Sequence, residues 1–354
     1  MQELGVDLLL VTPSADLRYL IGYNAIPLER LTALVIAPHA EPFLIVPKLE
    51  VSTAKASPFG GLGWKVIGWS ESENPYELIG SRSGFTHGRI AVDNHMWAER
   101  VLTITEKFPE SNIELAAPII NAIRVVKTPA ELDHLRVAAA AIDRVHAQVP
   151  NLLRVGRTEK EVGRDIADLI LAEGHTRVDF VIVASGPNGA SPHHELSSRV
   201  IQMGDPVVVD IGGTMPSGYC SDCTRTYSMG DPGGDYLERY AALQVAQELS
   251  TQAVSHGAIS HDIDAAGRNS LAEHGLNEYF IHRTGHGIGL ETHEEPYIGE
   301  NNSTVIENNM VFSIEPGFYI EGVHGARIED IVICTPSGPE SINKQTRDLV
   351  VVQG

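Results

Sequence analysis

The chain has 354 residues, 43% of them hydrophobic, with a formal net charge of −20. That length suits two domains, and the acidic balance argues against nucleic acid and anionic membranes as partners. No apolar run reaches the ~18 residues of a membrane span, and Met1-Gln-Glu-Leu-Gly-Val-Asp lacks the basic start of a signal peptide. Three cysteines, Cys220, Cys223 and Cys334, make no disulfide framework and suit a reducing cytoplasm.

Residues 1–125 read as a small α/β domain. Val6-Asp-Leu-Leu-Leu-Val is a buried strand and Asp16-Leu-Arg-Tyr-Leu starts a helix. Leu31–Ile36 and Pro42–Val46 predict a hairpin around Ala37-Pro-His-Ala-Glu. A helix over Leu49–Ala56, strands at Trp64–Gly68 and Arg89–Val92, and a helix over Met96–Phe108 follow. The acids and histidines of this half are scattered and form no chemical pattern.

A second domain, 126–354, opens on Thr128-Pro-Ala-Glu131, a capping box with proline at the first helical position. It predicts an alanine-rich helix to about Val149. Thr158-Glu-Lys-Glu161 opens another, ending at Gly174. Strand signals follow at Val178–Ala184, Pro206–Ile211 and Tyr219–Tyr227, then helices over Tyr236–Ser255 and Asp264–His274. Met310–Ile314, Ala326–Cys334 and Leu349–Val352 close the chain as strands. Helix pairs alternating with antiparallel hairpins define an α+β fold rather than a βαβ repeat. The parts before and after about residue 240 look loosely alike, each ending in an acid-bearing hairpin.

The chemistry concentrates in that second domain. Asp210 ends an apolar strand and Asp222 lies on the next, so two acids meet at a hairpin. Glu315 stands in Ser-Ile-Glu-Pro-Gly and Glu329 in Ala-Arg-Ile-Glu-Asp. Between the pairs lies His282-Arg-Thr-Gly-His286-Gly-Ile-Gly-Leu-Glu-Thr-His293, and upstream Pro192-His193-His194. Each residue alone has an ordinary reading as a turn, cap or loop residue. Together, acids in apolar strands and glycine-rich loops raise one another's pKa unless a cation sits among them. Four carboxylates and one imidazole suit manganese, cobalt, iron or zinc, and so many acids suggest two ions. Alternation puts Asp222 with Thr224, and Arg327 with Glu329, so Thr224 and Arg327 can brace carboxylates from behind.

Rival motifs fail. His282-x-x-x-His286 lacks the glutamate of a zincin helix, Gly285-His-Gly-Ile-Gly has the wrong spacing for a dinucleotide loop, and Cys220-x-x-Cys223 lies on a strand that points its thiols apart. No Gly-x-Ser-x-Gly nucleophile motif occurs.

On these motifs the chain resembles the creatinase/methionine-aminopeptidase, or pita-bread, superfamily of metallopeptidases. Within it the Xaa-Pro dipeptidase (prolidase) and aminopeptidase P group is the most similar. The resemblance spans nearly the whole chain, from Gly5-Val-Asp and Leu17-Arg-Tyr-Leu-Ile-Gly to Arg327-Ile-Glu-Asp. It implies a pita-bread catalytic domain behind a creatinase-like N-terminal one, in a cytoplasmic homodimer that cleaves small proline-containing peptides. It further implies Asp210, Asp222, His286, Glu315 and Glu329 as ligands of two divalent ions, manganese foremost. Asp222 and Glu329 would bridge them, with Asp210 on one ion and His286 and Glu315 on the other. Glu315 would carry the proton to the prolyl nitrogen, and His193, His282 and His293 would hold substrate and intermediate. Asp222 follows Asp210 by twelve positions, one more than the family's usual spacing. An extra residue in the turn after Thr214 would absorb it.

A strict dipeptidase needs a cation for the substrate's carboxylate. Some prolidases place an arginine where His293-Glu-Glu-Pro-Tyr297 has a tyrosine, so Tyr297 enters as a substrate-side residue. Arg30 is the candidate cation, should the N-terminal domain cover the site. The dipeptidase reading leads, with aminopeptidase P close behind. A metal-free creatinase-like hydrolase and a non-catalytic binding protein are the alternatives of another class, and both normally lose the metal ligands retained here. A methionine aminopeptidase seldom needs such an N-terminal domain.

Overall fold

The structure, a computed structural model, describes residues 1–353 and separates into two units, one ending at Arg124 and one beginning at Val125. In the first, strands β1 (Leu8–Val11), β2 (Ala33–Ile36), β3 (Phe43–Pro47), β4 (Lys65–Trp69), β5 (Arg89–Val92) and β6 (Asn112–Leu115) form one mixed sheet in the order β4-β3-β2-β1-β5-β6. Helices α1 (Ala15–Ile21), α2 (Val51–Ala56), α3 (Pro75–Ser83), α4 (Ala98–Lys107) and α5 (Ala117–Arg124) complete the unit. The period-two alternation of a strand splits β1 between two cores: Leu8 and Leu10 join one hydrophobic cluster, Leu9 and Val11 the other. Both faces are thus covered, which is why β1 reads as an unbroken apolar run. The expected hairpin is present, with Val35 opposite Phe43. Helix α3 escaped the sequence reading, although Asn74 caps it by accepting from the Tyr76 and Glu77 amides and Pro75 occupies its first turn.

The second unit opens with α6 (Pro129–His146), α7 (Val149–Leu152) and α8 (Glu159–Ala172). Both capping boxes close reciprocally. Thr128 N–H donates to Glu131 at 2.7 Å and Thr158 N–H to Glu161 at 2.8 Å, while each threonine hydroxyl accepts the glutamate amide. The alanine-rich helix does not run to Val149 as expected. It ends at His146, and the chain restarts as α7 around Pro150, which has no N–H for a continuing helix.

Next come β7 (Arg177–Ser185), β8 (Pro206–Thr214) and β9 (Cys220–Met229), then α9 (Gly234–Gln252) and α10 (Ser260–Glu273). The remaining strands are β10 (Gly285–Gly287), β11 (Glu294–Ile298), β12 (Val311–Ile314), β13 (Gly317–Ile320), β14 (His324–Arg327), β15 (Asp330–Thr335), β16 (Gly338–Ser341) and β17 (Val350–Val352). They form sheets ordered β17-β9-β8-β7 and β11-β10-β12-β15-β16, with β13 and β14 as a separate ribbon. Ala326–Cys334 is therefore not one strand. The ribbon ends at Arg327, the backbone turns so that Glu329 N–H donates to the Thr224 carbonyl at 3.1 Å, and β15 begins in another sheet.

Every residue of β8 and β9 is buried, so their polar groups need internal partners. The β8–β9 ladder keeps register from Pro206–Ser228 to Thr214–Cys220. Any extra residue therefore lies in the Met215–Tyr219 loop and moves neither strand. Cys223 packs in the core with Val209 and Ile211, while Cys220 belongs to a different cluster beside Tyr219 and Ile288. All three cysteines are free.

His146 is sealed between α6 and β9, its nitrogens 3.0 Å from the Tyr227 hydroxyl and 2.9 Å from the Cys223 carbonyl. Burial first, and then the Arg225 charge, push its pKa down to about 3. The unfolded chain thus takes up a proton near pH 6.5 that the folded one refuses, so this contribution to stability is full above that pH and lost as pH falls. By pH 4 the loss amounts to roughly 3 kcal/mol. His146→Gln should accordingly narrow its Tm deficit against wild type between pH 7 and pH 4; a constant deficit would show that the imidazole titrates alike in the folded and unfolded chain.

Candidate metal centre

The β8–β9 ladder sets the first two acids. Asp210 pairs with Thr224 and Asp222 with Gly212, so the acids are diagonal neighbours on one face rather than directly opposed. Both are buried. The second pair comes from places where strands break. Glu315 follows the end of β12, its N–H donating to the Thr284 carbonyl at 2.7 Å, and Glu329 occupies the kink before β15. His286 sits on β10 with Nδ1 3.1 Å from the Gly287 carbonyl, which fixes the proton on that nitrogen. Nε2 then faces Glu315 Oε1 at 3.1 Å and Asp222 Oδ2 at 3.7 Å. Either a proton or a divalent cation at Nε2 satisfies that arrangement.

Three overlapping trios each bring ligand atoms within 4.8 Å of one another: Asp210, Asp222 and Glu329; His286, Glu315 and Glu329; and Asp222, His286 and His293. The electrostatics fit a cation among them. Burial and the neighbouring carboxylates raise Asp222 and Glu329 well above the ordinary carboxylate range. Burial raises Asp210 as well, against the opposing pull of Arg327. For Glu315 burial is outweighed by His286, with help from His282 and Arg327, which together hold it down at about 2. Asp210 Oδ1 is buried without a hydrogen-bond partner, and a buried bare carboxylate oxygen is costly unless something binds it. A thiol-free set of four carboxylates and one imidazole matches a divalent cation such as manganese, iron, cobalt or zinc.

A buried arginine organises the rear of the cluster. Arg327 donates from Nη2 to Asp210 Oδ2, from Nε to Thr224 Oγ1 at 3.0 Å and from Nη1 to the Tyr319 hydroxyl at 2.8 Å. Thr224 passes the contact on, donating to Glu329 Oε2 at 2.8 Å. Arg327 and Glu329 thus meet at one hydroxyl although the strand is broken between them. Tyr319 in turn lies 2.9 Å from His282 Nε2, and His282 Nδ1 is 2.7 Å from the Arg283 carbonyl. Arg327, Tyr319 and His282 form a relay from the carboxylates to the rim. Tyr319 was not singled out from sequence, although it shares a strand face with Gly317 while Phe318 turns into the core. Tyr319→Phe leaves His282 Nε2 without its donor; kcat/KM should fall roughly 10- to 100-fold with the fold intact, the usual cost of a lost ligand-orienting contact. Wild-type activity in that variant would remove Tyr319 from the account.

The remaining candidates are spread more widely. The His293 ring is 4.0 Å from the His286 ring, and partial burial, His286 and other nearby charges lower its pKa, an effect softened by its exposed edge. His193 is exposed and near enough to contribute to that lowering. Beneath it lies a second residue that sequence did not reveal. Glu159 is fully buried at the first position of α8. It accepts from Ser185 N–H at 2.8 Å, Ser185 Oγ at 2.7 Å, Asn188 at 3.0 Å, Ser197 at 2.5 Å and His194 Nε2 at 2.7 Å. These bonds tie down the loop that carries His193. Tyr297 lies on β11 with the Arg283 guanidinium 4.0 Å above its ring. Arg30, in the first unit, is ion-paired with Glu71 at 2.7 Å and with Glu29.

The two-unit fold, with a buried cage of acids and one histidine whose ligand atoms lie close enough to hold a metal ion, is that of the pita-bread metallopeptidases. Residues 133–336 match Metallopeptidase family M24 and residues 1–126 the Creatinase/Prolidase N-terminal domain; the chain belongs to family M24. It is 48% identical to the probable dipeptidase PepE of Mycobacterium bovis over 99% of this chain and 93% of that one. It is 35% identical to an Xaa-Pro dipeptidase of Lactobacillus delbrueckii subsp. lactis over 99% of this chain and 96% of that one. Among solved structures, the dipeptidase PepE of Mycobacterium ulcerans superposes with a TM-score of 0.96 at 48% identity, covering 100% of this chain and 95% of that one.

Proposed function

We propose that this chain is an Xaa-Pro dipeptidase working with two divalent ions, manganese foremost. The observation that carries the reading is the pair of overlapping trios, Asp210–Asp222–Glu329 and His286–Glu315–Glu329, each able to hold one ion and sharing Glu329. Asp210, Asp222, His286, Glu315 and Glu329 would together hold the ions. Divalent cations in such a cage supply Lewis acidity and a nucleophilic water at neutral pH.

The chain's own groups do the rest. Arg327 holds Asp210, and through Thr224 it orients Glu329. Glu315 takes a proton and returns it to the prolyl nitrogen as the bond breaks. His193, His282 and His293 would hold the substrate and its intermediate, as the family resemblance implies, with His282 fixed in place by Tyr319. The prolyl amide nitrogen has no hydrogen to donate, so a pocket that offers no acceptor there selects for the ring by shape. A cytoplasmic homodimer is the setting proposed, in keeping with three free cysteines and the family resemblance.

Purified, manganese-loaded protein assayed on Ala-Pro, Ala-Pro-Ala and Met-Ala-Ser tests this. Cleavage confined to Ala-Pro is the expected result. Cleavage of the tripeptide alone would make the protein an aminopeptidase P, and methionine release would discard proline specificity altogether.

A further inference from the structure

The segment between α10 and β10 carries an arginine that the centre does not use. Arg283 lies one residue after His282 and three before His286. The backbone around it is pinned. Asp264, buried on α10, accepts from Thr284 N–H at 3.0 Å; Arg268, clamped by Asp264, donates to the carbonyls of Phe280 at 3.0 Å and His282 at 2.8 Å. The Arg283 side chain is exposed yet seated, its Cζ 4.0 Å from the centroid of the Tyr297 ring. Tyr297 stands directly opposite His286 in the β10–β11 ladder, and directly opposed residues of an antiparallel pair project from one face. The guanidinium therefore lies on the side of the sheet from which His286 enters the cluster. It is also among the charges acting on His293.

A guanidinium seated over an aromatic ring still has N–H groups with which to bind a carboxylate through two parallel hydrogen bonds. Nearby arginines are committed: Arg327 to Asp210, Thr224 and Tyr319, and Arg268 to Asp264 and two carbonyls. Among the described residues no acid pairs with Arg283. Tyr297 occupies the position where some prolidases place an arginine. Arg283, from the segment before β10, lies over that tyrosine.

We propose that Arg283, laid on Tyr297, binds the free carboxylate of a dipeptide whose scissile carbonyl sits at the carboxylate–imidazole cluster, and so restricts the enzyme to substrates that end one residue after the cleaved bond. The inference rests on the dipeptidase reading and names the residue that enforces it. An amide or a longer chain presents no charge at that point and gains nothing from the guanidinium.

The test compares manganese-loaded wild type, Arg283→Ala and Arg283→Lys on Ala-Pro and on Ala-Pro-amide, read as turnover or as competitive inhibition. In Arg283→Ala the KM for Ala-Pro should rise about 10- to 100-fold, the worth of a charge-assisted pair, with kcat little changed. The values for the amide should stay near wild type, and Arg283→Lys should recover part of the loss. Equal losses on both ligands, or none on Ala-Pro, overturn the clamp and leave the dipeptidase reading standing. A wild type that does not cut Ala-Pro removes that reading and the clamp with it.

Discussion

Glu315→Gln is expected to lower kcat on Ala-Pro by about three orders of magnitude, the middle of the range for loss of a general acid–base group, while the protein stays folded and still binds metal. The substitution keeps the side chain's size and one carbonyl oxygen. The Ser313 hydroxyl, 3.1 Å away, and His286 Nε2, also at 3.1 Å, can still be met by that oxygen. What is lost is the charge and the place to hold a proton. Glu315 is the one acid of the four that its surroundings keep ionised, through His286, His282 and Arg327. Metal content measured on the same sample separates the two possible causes. Unchanged metal with lost turnover supports the proton role. Near-normal turnover would remove it, and lost metal would reduce Glu315 to a ligand.

Asp222→Asn should reverse the order of stability between the metal-free and metal-loaded protein. Without a cation, Asp222 lies buried beside Glu329, Asp210 and Glu315, and burial together with those charges raises its pKa. Asparagine removes the like charge at nearly the same volume, so the chelated variant should be more stable than chelated wild type by about 2 kcal/mol, or a few degrees in Tm. With metal the order inverts. Wild type gains about 2.7 kcal/mol at a hundredfold excess over Kd, and the variant forfeits most of that along with its activity. The pH dependence follows the same sign. A carboxyl whose folded pKa lies above its unfolded value makes the fold bind more protons than the unfolded chain, so chelated wild type loses stability as pH rises above about 4. Asp222→Asn should flatten that slope. A variant less stable than wild type in both states would mean that the carboxylates tolerate one another without a cation.

The four acids and His286 are legible in the sequence because each breaks a local expectation: a carboxylate at the end of Val-Val-Val, another before Pro-Gly, an imidazole among glycines. The capping boxes at Thr128 and Thr158 are legible for the same reason, since their partners lie three residues apart. Tyr319, Glu159 and Arg283 are not. Tyr319 meets Arg327 only because β13 folds back on β14, and Glu159 collects donors spread from Ser185 to Ser197. Arg283 is an ordinary loop arginine until β11 places Tyr297 under it. Those meanings are set by long-range pairing, and no local pattern records them. The break between Arg327 and Glu329 was hidden similarly: Ala326, Ile328 and the apolar run from Ile331 read as one strand, and the Glu329 bond to the Thr224 carbonyl marks where the backbone turns. Even the acid pair of β8 and β9 needed the register, which sets Asp210 across from Thr224 rather than from Asp222.

The most direct measurement is a titration of metal-stripped protein with manganese, following bound metal and Ala-Pro hydrolysis on the same samples. The account predicts no turnover without metal and a rise that levels off at two ions per chain. Hydrolysis of Ala-Pro by the stripped protein, or none with both ions bound, would contradict it.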